Sequence, residues 1–362
     1  MSDPKDNCDC GPSCDCQGDC ECGPDCACHH RPSTLKKVGI AGAIIALPVA
    51  AYALYNRIEQ TSAARNARLA EKFAYDASAI RAVDPALIKY KEIRQIDLGM
   101  NAPQAIALDG QGNLLAAGEN LLRRFDSAGR ITANISLEGT PYCLAADKDG
   151  NIFVGFRDHV EIYSAAGRRI AGWNSFGDRS YLTCIAINGD DIYVADAGRR
   201  MVLRCDRAGK VLNEIGKPNE ALGVPGLILP SPHLDVAVGA DGLVWVTNTG
   251  KHRLEAYTPQ GRLDKFWGSP GTNISEFFGC CNPTDFALLS DGTFITAEKG
   301  IPRVKKYDTH FNLEAVVAAP SVFGENQTGL DVAAGADGQI FVLARGARSV
   351  RVFAPSGAGG PQ

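Results

Sequence analysis

The segment Asp235–Gly268, DVAVGADGLVWVTNTGKHRLEAYTPQGRLDKFWG, decides the fold. Its apolar runs are short, rich in Val, Trp, Leu and Tyr, and separated by Ala-Asp-Gly, Thr-Gly-Lys-His and Thr-Pro-Gln-Gly. Such runs are too brief for helices and have the β-branched and aromatic content of strands. Glycine at the turns tolerates a positive φ, so each turn reverses the chain tightly. The segment therefore reads as a four-stranded antiparallel meander.

Working outward, the same pattern recurs six times in all. The first strand and its turn read AIALDGQGN from Ala105, CLAADKDGN from Cys143, CIAINGDD from Cys184, DVAVGADGL from Asp235, DFALLSDGT from Asp285 and DVAAGADGQ from Asp331. Their central alanines, Ala107, Ala145, Ala186, Ala237, Ala287 and Ala333, are 38, 41, 51, 50 and 46 residues apart. That interval suits a blade of a β-propeller. A second turn repeats as FDSAGR (Phe125), YSAAGR (Tyr163), CDRAGK (Cys205), YTPQGR (Tyr257) and FAPSG (Phe353), whereas YDTHFN from Tyr307 keeps the turn without glycine. The sixth unit lacks residues for a fourth strand, and Tyr90–Leu98, YKEIRQIDL, is expected to supply it. Pairing the two ends closes the ring and removes exposed edges. The fold class expected is all-β, a six-bladed β-propeller over residues 85–358.

The stretches VADAGRRMVLRCD (Val194), VTNTGKHRLEAYT (Val246) and TAEKGIPRVKKYD (Thr296) resemble the NHL repeat: strand, Asp/Asn-x-Gly, a polar pair, then Arg and a strand. The other units, GENLLRRFD, FRDHVEIYS and ARGARSVRVF, diverge from it. The resemblance covers roughly Tyr90–Ser356. It implies a six-bladed binding platform. The related lactonase and lyase propellers imply an alternative with a metal in the central channel.

Equivalent positions of a propeller form rings, so two columns are candidate sites. The residue two before each aligned alanine is Ala105, Cys143, Cys184, Asp235, Asp285 and Asp331. These two thiols and three carboxylates are expected near one opening. The ends of the second strands give Gly118, Phe156, Asp196, Asn248, Glu298 and Ala344. Asp196 and Asn248 read first as turn caps. Glu298 fits a cap less well and is the stronger ligand candidate. His233, on the approach to Asp235, is a candidate ligand or base, while His159, His252 and His310 fall in turns and read as exposed.

The sequence FFGCCNPTDF, Phe277–Phe286, places adjacent Cys280 and Cys281 in a loop leading into the fifth unit. It is open to three readings: a vicinal disulfide, a dithiol for a soft metal, or buried inert thiols. Long connections at 216–232, 268–283 and 319–329 share the face where inner strands begin. That face is where binding is expected, since binding residues concentrate on loops.

The N-terminal region has a different composition. Eight of the thirteen cysteines form four Cys-x-Cys pairs: Cys8 with Cys10, Cys14 with Cys16, Cys20 with Cys22, and Cys26 with Cys28. With His29 and His30 beside them, Gly, Pro and Asp as filler, and no core-forming residues, residues 1–34 read as a ligand set for Zn²⁺ or Cu(I). In composition the tail resembles a metallothionein. A disulfide-linked or inert spacer is the alternative, decided by the redox compartment. Val38–Asn56, VGIAGAIIALPVAAYALYN, is uncharged over 19 residues, and residues 35–57 read as one transmembrane helix. Arg31, Lys36 and Lys37 before it place the tail in the cytoplasm and the propeller outside, in the periplasm of a bacterium. Small residues around Ala51 and Ala53 also offer a cleavage site. Residues 58–84 read as a stalk helix and linker ending near Asp84–Pro85.

A net charge of −4 gives no basic stripe for nucleic acid. No Gly-x-Ser-x-Gly, Walker loop or His-Glu-x-x-His occurs in the sequence. The function expected is an extracytoplasmic binding or scaffold module for a protein or small molecule, more a binder than an enzyme. A metal-dependent hydrolase or lyase, or a redox device using Cys280 and Cys281, stands as the alternative.

Overall fold

The computed structural model describes residues 77–324 and 329–357, together with Tyr52, Tyr55, Arg57, Glu59 and Thr61. The ten expected metal ligands of the tail, Cys8, Cys10, Cys14, Cys16, Cys20, Cys22, Cys26, Cys28, His29 and His30, lie outside the described residues. So does the expected anchor, apart from Tyr52, Tyr55 and Arg57. Among the described residues no helix is long and apolar enough to cross a membrane. Tyr52, Tyr55, Arg57, Glu59 and Thr61 are helical, as is Ala77–Arg81 of the expected stalk. Asp84 then ends the approach to the ring, its carboxylate accepting from the amide of Ala86 at the head of a 3-10 turn, Pro85–Leu87.

Six four-stranded antiparallel sheets follow, in the order read from the sequence. Their inner strands are Pro103–Leu108, Cys143–Ala146, Leu182–Asn188, Val236–Val238, Asp285–Leu288 and Leu330–Ala334 (blades 1 to 6). The expected closure is present: Tyr90–Asp97 pairs with Ser349–Pro355, from Tyr90 opposite Pro355 to Asp97 opposite Ser349. It becomes the outermost strand of blade 6, completing a sheet that the C-terminal part fills with only three strands.

Each pair of neighbouring blades encloses its own apolar core. Between blades 3 and 4, for example, Tyr193, Val202 and Ile215 pack on Val244, Val246 and Tyr257, all fully buried. The second strands explain this, because Val244–Asn248 and Ile340–Ala344 are buried at every residue. A sheet covered on both faces reads as a continuous apolar run rather than an alternation.

Through the first five blades the turns carry the expected glycines in the left-handed region, with one exception. Phe311 in YDTHFN adopts φ 67°, the conformation that Gly129, Gly167, Gly209 and Gly261 take in the equivalent turns. The Asp308 carboxylate holds this turn by accepting from the amides of His310 and Asn312. The Phe311 ring stacks on Trp267 at 5.2 Å, with Trp245 and Phe294 edge-on. Aromatic packing thus offsets a backbone conformation that disfavours a side chain.

Candidate functional site: the central channel and its mouth

The first predicted column forms a ring. Ala105, Cys143, Cys184, Asp235, Asp285 and Asp331 all line one axial channel of about 240 Å³. The three carboxylates follow one rule, each accepting an amide from the inner strand of the next blade. Asp235 accepts from Phe286 at 2.7 Å, Asp285 from Val332 at 3.1 Å, and Asp331 from Ile106 at 2.8 Å. Asp235 also accepts from Val236 at 2.9 Å. Inner strands of adjacent blades diverge from the axis and do not form ladders with each other. The carboxylates therefore satisfy amides that would otherwise be orphaned. On blade 3 the Cys184 thiol donates to the carbonyl of Val236 at 3.4 Å, and Thr183 donates to that of Leu234 at 2.6 Å. Cys143 packs so closely on Gly155 that any Cβ there would sit 2.2 Å from its sulfur.

Burial at the axis raises all three carboxyls. Asp235 is pushed up to about 6 and Asp331 to about 7, each partly relieved by the charge of Arg345. Asp285 is raised as well, by burial and then by the charges of the other two. Burial likewise pushes the Cys143 and Cys184 thiols up, so both are protonated at neutral pH. One oxygen each of Asp285 and Asp331 takes no donor from the described residues. Among the described residues, no group of three His, Cys, Asp or Glu side chains is arranged to hold a metal ion.

The second column does not open on the channel. Asp196, Asn248 and Glu298 are all buried. Asp196 caps its turn as expected, accepting from the amides of Tyr181 and Arg199 at 3.0 and 3.1 Å. Asn248 accepts from the amide of Ile228 and donates to Glu255 at 2.9 Å. Glu298 sits inside the blade, bonded to Arg303 at 3.0 Å by both oxygens and to Lys305 at 2.7 Å. Arg303 and Lys305 are themselves fully buried. Blade 4 fills the equivalent site differently: Asn248 is neutral, and the anion is Glu255, which bonds to Arg253.

The channel opens into a pocket of about 430 Å³, lined by Asn101, Gln104, Tyr181, His233 and Arg345 among others. His233 is held neutral, lowered to about 3 by burial and then by the charges of Arg345 and Lys299. The Arg345 side chain forms no hydrogen bond or ion pair among the described residues, and its Nε is buried. This residue went unnoticed in the sequence because it lies one position beyond the second column. There Glu119, Arg157, Ala197, Thr249, Lys299 and Arg345 follow one another, a column with three cations. Arg157 lies 5.9 Å from the ring of Tyr181. Two histidines expected to be exposed are half-buried: His159 stacks on Phe156 at 4.9 Å, and His252 contacts the carbonyl of Gly279 at 2.6 Å. A larger cavity, about 580 Å³, opens at the opposite ends of blades 4 and 5 around Trp245, Phe294 and Phe311.

Cys280 and Cys281 lie near this mouth as free thiols, Cys280 exposed and Cys281 buried, with their sulfurs 3.0 Å apart. Neither the vicinal disulfide nor a third metal-ligating side chain is present among the described residues.

No family model matches the chain, and no curated protein does. Its likeness is to solved structures. A streptogramin B lyase aligns with TM-score 0.50 and 13% identity over 75% of this chain and 100% of that one. A catalytically inactive variant of virginiamycin B lyase from Staphylococcus aureus, with quinupristin, aligns with TM-score 0.50 and 11% identity, over 73% and 99%. A protein of unknown function from Bacteroides thetaiotaomicron gives TM-score 0.54 and 13% identity, over 74% and 72%. At these identities the likeness is one of fold.

Proposed function

We propose that this six-bladed β-propeller is a binding module whose mouth pocket takes the carboxylate of a small molecule or peptide. One observation carries this reading: Arg345 is a guanidinium whose buried Nε has no partner among the described residues, in a pocket that also offers Gln104, Tyr181 and neutral His233. A planar fork of donors left unsatisfied is complementary to a carboxylate. A pocket of about 430 Å³ is within the range of small-ligand sites. The acidic ring below supports the same reading, since its carboxylates are engaged in stitching blade to blade. The module is displayed outside the membrane by the Val38–Asn56 anchor, with the NHL-like repeats as platform. The thiols of Cys8, Cys10, Cys14, Cys16, Cys20, Cys22, Cys26 and Cys28 hold Zn²⁺ or Cu(I) on the cytoplasmic side.

Calorimetric titration of the full chain with aliphatic and aromatic monocarboxylates and with inorganic phosphate tests the pocket. Saturable binding of a monocarboxylate, lost in Arg345→Ala and weakened in Arg345→Lys, is the result expected. Binding that survives Arg345→Ala, or none across the panel, would overturn it. Elemental analysis of the full chain before and after replacing the eight tail cysteines by serine tests the metal.

A second reading is favoured by Asp285 and Asp331, which combine a raised carboxyl with one oxygen that takes no donor from the described residues. Such groups serve general acid–base chemistry near neutral pH. Turnover abolished by Asp331→Asn, with binding intact, would move the assignment to a lyase or hydrolase.

A further inference from the structure

The loop between blades 4 and 5 is built around Asn282. Its amide nitrogen donates to the carbonyls of Phe278 at 2.5 Å and Lys299 at 3.1 Å, while its oxygen accepts from the amide of Lys299 at 2.9 Å. His252 fastens the other end at Gly279. These bonds fix the backbone on both sides of Cys280 and Cys281. The two sulfurs then meet at 3.0 Å, about 1 Å from disulfide bonding distance. Two neighbours bear on the inner sulfur. Lys299 donates to Ser231 at 2.9 Å. Burial would raise Cys281, but Ser231, Cys280 and the Lys299 charge together hold it below the usual thiol value. Cys280 is raised, first by its hydrogen bond to Cys281. The inner sulfur is therefore the more readily ionised of the two and stands 3.0 Å from the exposed one, placed to take its proton.

We propose that Cys280 and Cys281 are a thiol–disulfide exchange pair, acting on small or peptide disulfides that reach the exposed Cys280 sulfur. Cys280 passes its proton to the Cys281 thiolate and attacks one sulfur of the incoming disulfide. A mixed disulfide forms, and one thiolate leaves, taking a proton from solvent. Cys281, giving up its proton again, attacks the Cys280 sulfur, closes the Cys280–Cys281 bond and releases the second thiol. Two protein sulfurs are oxidised and one disulfide is reduced to two thiols. Reaction in reverse makes the pair a dithiol again. Lys299 and Ser231 are positioning residues that hold the inner thiolate.

The tryptic peptide Phe266–Lys299 contains both cysteines and no others, so the eight tail cysteines do not obscure the readout. The full chain is equilibrated in glutathione buffers of increasing oxidised fraction, quenched in acid, alkylated and digested. The peptide is expected to pass from the doubly alkylated form to an unalkylated one two hydrogens lighter than the free dithiol, and to return with reductant. In Cys281→Ser a glutathione adduct should accumulate on Cys280, because no thiol remains to resolve it. In Cys280→Ser the buried Cys281 should stay free. Lys299→Gln should move the pH midpoint of Cys281 alkylation upward at unchanged circular dichroism. A peptide that stays doubly alkylated at every glutathione ratio overturns the proposal, whatever the variants do. So does a Cys281→Ser protein that never carries the adduct.

Discussion

Replacing Glu298 by glutamine tests the buried ion cluster of blade 5. The change keeps the shape and removes the one anion bonded to Arg303 and Lys305, both fully buried. Breaking a buried pair in this way costs about 3–5 kcal/mol. The two cations share that cost unequally. Lys305 is already lowered to about 8 from 10.5, by burial first, so about 3 kcal/mol of penalty is present in the native protein. Losing Glu298 lets the amine shed its proton at pH 7, which caps its penalty at about 5 kcal/mol. Lysine thus adds only about 2 kcal/mol. The remainder falls on Arg303, which cannot deprotonate. The pH dependence follows with a definite sign. A cation lowered in the folded state leaves the unfolded chain with more bound protons between pH 8 and 10.5. Lys305 should therefore contribute a rise of about 2 kcal/mol from pH 7 to 9.5, seen as a change in the difference between wild type and Lys305→Met. The difference is needed because the raised thiols of Cys143, Cys184 and Cys205 act in the opposite sense above pH 9. The variant's deficit should shrink over the same range by the lysine share. Urea unfolding at both pH values measures this, with Lys305→Met as the control that removes the rise. A deficit below about 1 kcal/mol at pH 7, or a difference between wild type and Lys305→Met that does not change from pH 7 to 9.5, would refute the reasoning.

Asp331, raised to about 7 from 3.8, keeps more protons folded than unfolded between pH 3.8 and 7, so it erodes stability as pH rises through that range. Asp331→Asn should raise the unfolding free energy in urea at pH 8 by about 1–4 kcal/mol, less at pH 5, and leave it unchanged near pH 3. Asp235→Ala strands the amides of Val236 and Phe286 and should cost about 2–5 kcal/mol in thermal unfolding, whereas Asp235→Asn, which can still accept, should cost far less. Phe311→Gly relieves a positive φ worth about 1–2 kcal/mol but deletes a half-buried ring from the Trp245–Trp267 cluster. Packing should win, with a net loss of roughly 1–3 kcal/mol by chemical denaturation.

The blades were legible because each repeat states its own turns: glycine or Asp at fixed offsets, and apolar runs doubly covered by neighbouring sheets. Closure by Tyr90–Asp97 followed from a strand missing at the other end. Ring membership of Asp235, Asp285 and Asp331 was legible for the same reason, since equivalent positions in a closed ring must face one axis. What each side chain does there was not. Whether a carboxylate meets a ligand or the next blade's amide depends on distances between blades, and no repeat encodes those. Glu298 shows the limit clearly. Its partners Arg303 and Lys305 were visible five and seven residues on, but only the turn between the strands brings them back over it. Arg345 escaped because its column is polar on only some blades. Its lack of a partner among the described residues is a property of the folded mouth.

Tyr90–Asp97 is the first strand of the ring to be synthesised, and its partner Ser349–Pro355 is the last. At ordinary translation rates, 265 residues separate Tyr90 from Pro355 by roughly 13–50 s, during which the strand has nothing to pair with. Its sequence, YKEIRQID, suits that wait: Lys91, Glu92, Arg94 and Asp97 interrupt the apolar positions and discourage pairing with other nascent chains. The charges on this outermost strand thus protect a chain that waits for its own end to be made.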